Sequence, residues 1–195
     1  MRWFWIDRFI EFERGRRAVA IKGVALSEEC MDDYSPGFPH MPASLIIEGM
    51  AQTAGLLIGE MDGFSQRVVL AKVGKAIFHR QAIPGDILRY EATIADVKAD
   101  GAFASVVGTV DDEPLAEVDL MFAFLDERFP SGPLFEPADF AILMRSFRIY
   151  DIGHTSDGQP IDLPPFYADA ERAARAKYDP IPSPVVPRAN GAVKP

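Results

Sequence analysis

An 18-residue run with almost no polar interruption, Ser44 to Met61 (SLIIEGMAQTAGLLIGEM), constrains this chain more than any other feature. It has no period-2 alternation, so it reads as a helix. It is apolar nearly all round, so it reads as a buried one. Pro42 just before it and Ser44 as a cap are start signals. Glu48 and Gln52 interrupt the run, which argues against a membrane span. Gly49, Ala51, Ala54 and Gly55 would let a sheet approach closely.

The flanking segments read as strands instead, by β-branched content, short apolar runs or alternation. Arg17 to Leu26 reads as a strand. Arg67 to Val73 and Lys75 to Arg80 read as two short strands parted by Gly74. Ile87 to Val97 puts Leu88, Tyr90, Ala92 and Ile94 on one face. Ala102 to Val110 and Leu115 to Leu125 follow after turn sequences at 98–101 and 111–114, which predicts an antiparallel meander. An α+β fold satisfies this order: an antiparallel sheet wrapped around one central helix.

Proline marks a boundary. Five of the 16 prolines precede Phe129 and eleven follow it. The expectation is a compact domain over 1–129 and an irregular, partly helical extension over 130–195. Within the extension, Pro137 to Tyr150 and Phe166 to Tyr178 read as helices, and Pro180 to Pro195 as disordered. His154 reads as a surface residue, and Trp3 and Trp5 as interface or core anchors.

Charge and cysteine content exclude several classes. A formal charge of −9 disfavours nucleic acid and anionic membranes as partners. The lone Cys30 cannot form an internal disulfide. The histidines and cysteine lack ligand spacing, so no metal is expected. Residues Met1 to Phe12 carry Asp7, Arg8 and Glu11, which breaks any signal-peptide pattern, and the expected location is the cytoplasm.

Chemistry concentrates in Asp33 to Gln52 (DYSPGFPHMPASLIIEGMAQ). Pro36, Pro39 and Pro42 with Gly37 enforce a stiff, irregular approach to the helix. Glu48 then places a carboxylate in apolar surroundings, where burial would raise its pKa toward that of a usable proton donor. The competing reading is a structural Glu bonded to a backbone group or to Gln52, one turn on.

This segment resembles the signature of the beta-hydroxyacyl-acyl-carrier-protein dehydratases of the FabZ/FabA type, G-H-F-P-G-x-P-x-x-P-G-x-L-x-x-E-A-x-A-Q. Pro36, Gly37, Pro39, Met41, Pro42, Leu45, Glu48, Ala51 and Gln52 fall in register. Ile6-Asp7-Arg8, Ala20-Ile21-Lys22, Phe78-His79-Arg80 and Pro84-Gly85-Asp86 extend the resemblance over about residues 3 to 126. The resemblance implies a hotdog fold, with sites shared across a homodimer or larger assembly. It also implies a cofactor-free lyase of fatty-acid-type synthesis that converts 3-hydroxyacyl thioesters on acyl carrier protein to trans-2-enoyl thioesters.

Carried over residue by residue, the carboxylate is Glu48 and the oxyanion donor is the backbone N–H of Ala43, where the family has Gly. The family's catalytic His corresponds to Tyr34 and its next residue, Phe, to Ser35. Tyr34, with an ordinary pKa of about 10, is a donor rather than a base. Three readings stay open at that position. Tyr34 acts as acid while Glu48 acts as base; His40 enters the site from a rearranged loop; or the site binds acyl thioesters without dehydrating them. A thioesterase is a further alternative.

Gly37, Phe38, Pro39, His40, Gln52 and Phe78 are the expected substrate contacts. Phe38, Met50, Leu56 and Phe78 are the candidates for an acyl tunnel. Lys72, Lys75, His79 and Arg80, with Arg67, form the candidate docking patch for an acidic carrier protein.

Overall fold

The computed structural model describes residues 3–34, 37–130 and 132–178. Residues 179–195, including the segment expected to be disordered, and Ser35 and Pro36 lie outside the described residues, as do the side chains of residues 32–34. In chain order the elements are β1 (Arg8–Glu13), β2 (Arg17–Gly23), α1 (Glu29–Tyr34), α2 (Ala43–Glu60), β3 (Arg67–Phe78), β4 (Ile87–Lys98), β5 (Gly101–Val110), β6 (Glu113–Leu125), α3 (Pro137–Ser146), α4 (Ile149–Ile152) and α5 (Pro165–Tyr178).

The strands form one six-stranded sheet of order β1-β2-β4-β5-β6-β3. All neighbours pair antiparallel. The sheet curls around α2, which packs against β2 to β6. This is the hotdog arrangement. Leu88, Tyr90 and Ala92 of β4 face inward, as their alternation predicts, and so do Ala102, Ala104 and Val106 of β5. The turn between β5 and β6 needs only Asp111 and Asp112, both with positive φ (51° and 65°), a conformation that suits a tight hairpin.

Gly49 explains how closely helix and sheet approach. A Cβ there would lie 2.5 Å from the Trp5 carbonyl oxygen and 2.6 Å from a Tyr90 ring carbon. At the far end of α2, the fully buried Glu60 carboxylate accepts two bonds from the Arg14 guanidinium in the β1–β2 turn, at 2.7 and 2.6 Å.

Several expectations are corrected. The Ser44 hydroxyl does not cap α2. The N-cap is Pro42, no side chain caps the helix, and Ser44 already lies inside it. Gly74 does not break the strand. β3 runs continuously past it and absorbs it in a register irregularity between Val73 and Lys75. The helix expected over 137–150 stops at Ser146, because Phe147 closes α3 and Arg148 turns left-handed at φ 63° before α4. The extension is partly helical among the described residues, as expected, and it also joins the main core through Phe140, Met144, Phe147 and Ile149.

The extension also covers one sheet edge. Phe9 N–H donates to Phe147 O at 2.9 Å, His154 N–H to Phe12 O at 3.0 Å, and Arg14 N–H to His154 O at 2.9 Å. The opposite edge, β3, is 12 residues long and carries exposed Leu70, Val73, Ile77 and Phe78.

Candidate active site

α2 buries one side against the sheet through Ile46, Gly49, Met50, Thr53, Ala54, Leu57 and Ile58. A second stripe, with Glu48, Gln52, Gly55 and Leu56, is only half-buried. The all-round apolar pattern of this helix therefore serves two surfaces: the sheet, and a cavity of about 1170 Å³.

Glu48 and Gln52 are polar residues of that cavity, which is also lined by Asp62, Ser65, Gln66 and Arg67 just beyond the C-terminus of α2. Gln52 Nε2 donates to Glu48 Oε1 at 2.9 Å and to the Trp3 carbonyl at 3.0 Å. Gln52 Oε1 accepts the Trp5 N–H at 2.8 Å. These three bonds fix which way the amide points. The other Glu48 oxygen, Oε2, has no hydrogen-bond partner among the described residues. One carboxylate oxygen is thus anchored and the other is available to a ligand. Glu48 is half-buried rather than enclosed as expected, because its stripe faces the cavity and not the sheet.

The remaining cavity wall is mostly apolar. Leu56 and Phe122 belong to the hotdog core elements, whereas Leu134, Phe135, Leu143, Met144, Phe147 and Phe166 come from the extension.

The other expected site residues are dispersed. Ala43 opens α2, where the first N–H groups of a helix lack intrahelical acceptors and the dipole favours negative charge. Tyr34 is the last residue of α1, and its side chain lies outside the described residues. Gly37, Phe38, Pro39 and His40 precede α2 and do not line the cavity. Phe38 is exposed, and its carbonyl lies 2.9 Å from His40 Nδ1. Phe78 ends β3, off the cavity. Of the tunnel candidates, Met50 is fully buried in the core and Leu56 reaches the cavity.

Lys72, Lys75, His79 and Arg80 are all exposed along β3 and just beyond it. Carboxylates temper their charge: Lys75 and His79 lie 3.8 and 3.1 Å from Glu117, and Arg80 lies 3.0 Å from Asp86. Among the described residues no three His, Cys, Asp or Glu side chains converge to hold a metal, and no helix is long and apolar enough to cross a membrane.

Sequence reasoning missed the Trp3 and Trp5 backbone groups that latch Gln52, and the whole contribution of the extension. A second polar residue one turn from Glu48 was the available signal for the latch. Its partners, about fifty residues away, left none.

Residues 3–119 match the FabA-like domain family. The chain belongs to that family. Among its FabA-like relatives is the 3-hydroxyacyl-acyl-carrier-protein dehydratase FabZ of Desulforamulus reducens, 39% identical over 119 residues that cover 60% of this chain and 84% of the relative. The FabZ of Acetivibrio thermocellus is 42% identical over 124 residues, covering 62% and 84%.

Solved structures agree on the fold. The uncharacterized protein PH1136 from Pyrococcus horikoshii superposes with a TM-score of 0.52 at 19% identity, covering 65% of this FabA-like chain and 88% of its own. The smu.793 protein of Streptococcus mutans, solved bound to acetyl CoA, gives 0.51 at 17% identity, covering 64% and 93%.

Proposed function

We propose that this FabA-like protein removes water from 3-hydroxyacyl thioesters carried on acyl carrier protein, giving trans-2-enoyl thioesters. The observation that carries the reading is the Glu48 carboxylate, anchored through one oxygen by Gln52 at the edge of an apolar cavity. Relatives whose names state this activity, at about 40% identity, support it.

The chemistry needs three groups. A base removes a proton from the carbon beside the thioester carbonyl, an acid protonates the leaving hydroxyl, and a donor steadies the enolate-like oxygen. Glu48 takes the base role through Oε2, because the Gln52 amide holds Oε1 and leaves Oε2 turned to the ligand. Tyr34 gives its phenolic proton to the departing hydroxyl. The electron pair of the broken C–H bond becomes the new double bond, and water leaves. Proton return from Glu48 to the Tyr34 phenolate closes the cycle. The Ala43 N–H, at the positive end of α2, receives the developing charge on the thioester oxygen.

The assembly is a homodimer in which β3 finds a partner edge. A long, bare, partly apolar edge strand invites pairing, and the other edge is already occupied by the extension. In that dimer the site is shared, Tyr34 of one copy serving as proton source for the reaction at Glu48 of the other. The carrier protein docks along the exposed Lys72, Lys75, His79 and Arg80, and the catalytic unit is residues 1–129.

Incubating the purified protein with 3-hydroxyacyl and saturated acyl thioesters tests the reading. Enoyl product without free thiol supports it. Free thiol identifies a thioesterase, and binding with neither product identifies a binding module. Either of the last two results overturns the proposal.

A further inference from the structure

The extension lies beyond the residues that match the family, which end at 119. It is nevertheless built into the core. Phe140, Ala141 and Met144 of α3 are buried, and Phe147 binds the β1 edge by a backbone hydrogen bond. Arg145 of α3 meets the buried Glu171 of α5 at 2.6 Å, which locks the two helices together.

This packed extension faces the half-open stripe of α2 across the cavity. Glu48 and Gln52 stand on one side, and Leu134, Leu143 and Phe166 on the other. Along α2, Glu48 to Gly59 covers roughly 16 Å at about 1.5 Å per residue. At about 1170 Å³ the cavity exceeds the roughly 300–1,000 Å³ common for small-molecule clefts. Leu134 and Phe166 remain 44% and 62% exposed, apolar surface with no occupant from the described chain.

We infer that the extension is the outer wall of the acyl-chain pocket, and that it makes the protein selective for medium and long acyl chains. The inference rests on the dehydratase reading for the identity of the ligand. Its physical content is the continuity of a mostly apolar trough with the Glu48 carboxylate, the trough turning polar again only beyond α2 at Asp62, Gln66 and Arg67. A thioester head placed at Glu48 directs its tail along α2 beneath α3. Without the extension that tail would lie against a single helix face. With it the tail is buried on both sides, and each methylene adds to binding.

Two full-length variants test this. Leu143→Trp fills the trough from α3. Leu134→Trp does the same from an exposed turn, where folding is not at stake. Two quantities are read. One is the ratio of kcat/KM for a twelve-carbon over a four-carbon 3-hydroxyacyl thioester. The other is the affinity for a dansylated long-chain fatty acid.

The inference predicts that both quantities fall by about tenfold or more, the loss expected when about two methylenes are no longer buried. If the wild type gives no enoyl product but binds the probe, and the variants weaken that binding, the dehydratase reading fails and the pocket stands. An unchanged ratio with unchanged probe affinity overturns the inference and leaves the dehydratase reading intact. A change of oligomeric state by light scattering, with the ratio unaltered, also overturns it, because the wall would then be an interface between copies.

Discussion

Gln52 holds Glu48 across one turn of α2, with 2.9 Å between the amide nitrogen and the carboxylate, and is itself held by the N–H of Trp5 at 2.8 Å. The N-terminal segment therefore positions the candidate catalytic group through Gln52. Gln52→Leu removes the anchor. It should lower kcat by about tenfold, because a mispositioned acid–base group loses much of its roughly 10²–10⁴-fold contribution. Gln52→Glu should do worse, by setting a second carboxylate beside the first. Steady-state kinetics on both variants check this, and wild-type turnover in Gln52→Leu would make the latch purely structural.

Tyr34 separates catalysis from mere binding. With the phenol as proton source, Tyr34→Phe should cut kcat by about 10²-fold or more while KM barely moves. Tyr34→His restores a titratable ring at the family's position and should retain turnover. If Tyr34→Phe turns over like wild type, the phenol has no part in the reaction.

Arg14 and Glu60 set a stability prediction. Glu60 is the last residue of α2, where the helix dipole disfavours a negative charge, and it is fully buried. Among the described residues its ion-pair partner is the Arg14 guanidinium. Arg14→Met strands the charge and should destabilise the fold by about 3 kcal/mol in urea titrations. The double variant Arg14→Met/Glu60→Leu should recover most of that loss. A double variant no more stable than Arg14→Met would contradict the account.

Glu91 gives a pH dependence. Hydrogen bonding to Arg17, and secondarily to Arg89, lowers its pKa from an ordinary 4.5 to about 2. A depressed carboxyl stabilises the fold fully above its unfolded value, and that stabilisation fades as pH falls toward the folded value. Thermal melts should therefore show wild type above Glu91→Gln at pH 7, with the gap closing between about pH 4.5 and 2. Because these groups are a third exposed, the gap should be small and should shrink further in high salt. A gap independent of pH would place the effect of Glu91 in packing rather than charge.

What the sequence revealed, and what it hid, follows from the range of the interactions. α2 and the β4–β6 meander were legible because periodicity and turn residues are local. β1 was read only by resemblance. A register shift between Phe9 and Glu11 puts Phe9 and Phe12 on the same buried side, three residues apart, which destroys the alternation that marks a strand. The prolines of the extension suggested irregularity, yet Pro137 and Pro165 open helices, where a missing N–H costs nothing. Glu48 stood out as a carboxylate in an apolar helix and by its motif. Its latch to the N-terminal tryptophans and the cavity wall from the extension depend on contacts made only after folding.

The central claim is that the Glu48 carboxylate performs chemistry, and Glu48→Gln tests it most directly. The amide has the same shape and still offers an oxygen to Gln52 Nε2, so the fold should melt within a few degrees of wild type. It cannot accept the substrate proton, so enoyl-thioester formation from a 3-hydroxyacyl thioester should fall by about 10²-fold at least. A folded Glu48→Gln protein that forms enoyl product at the wild-type rate would contradict the account.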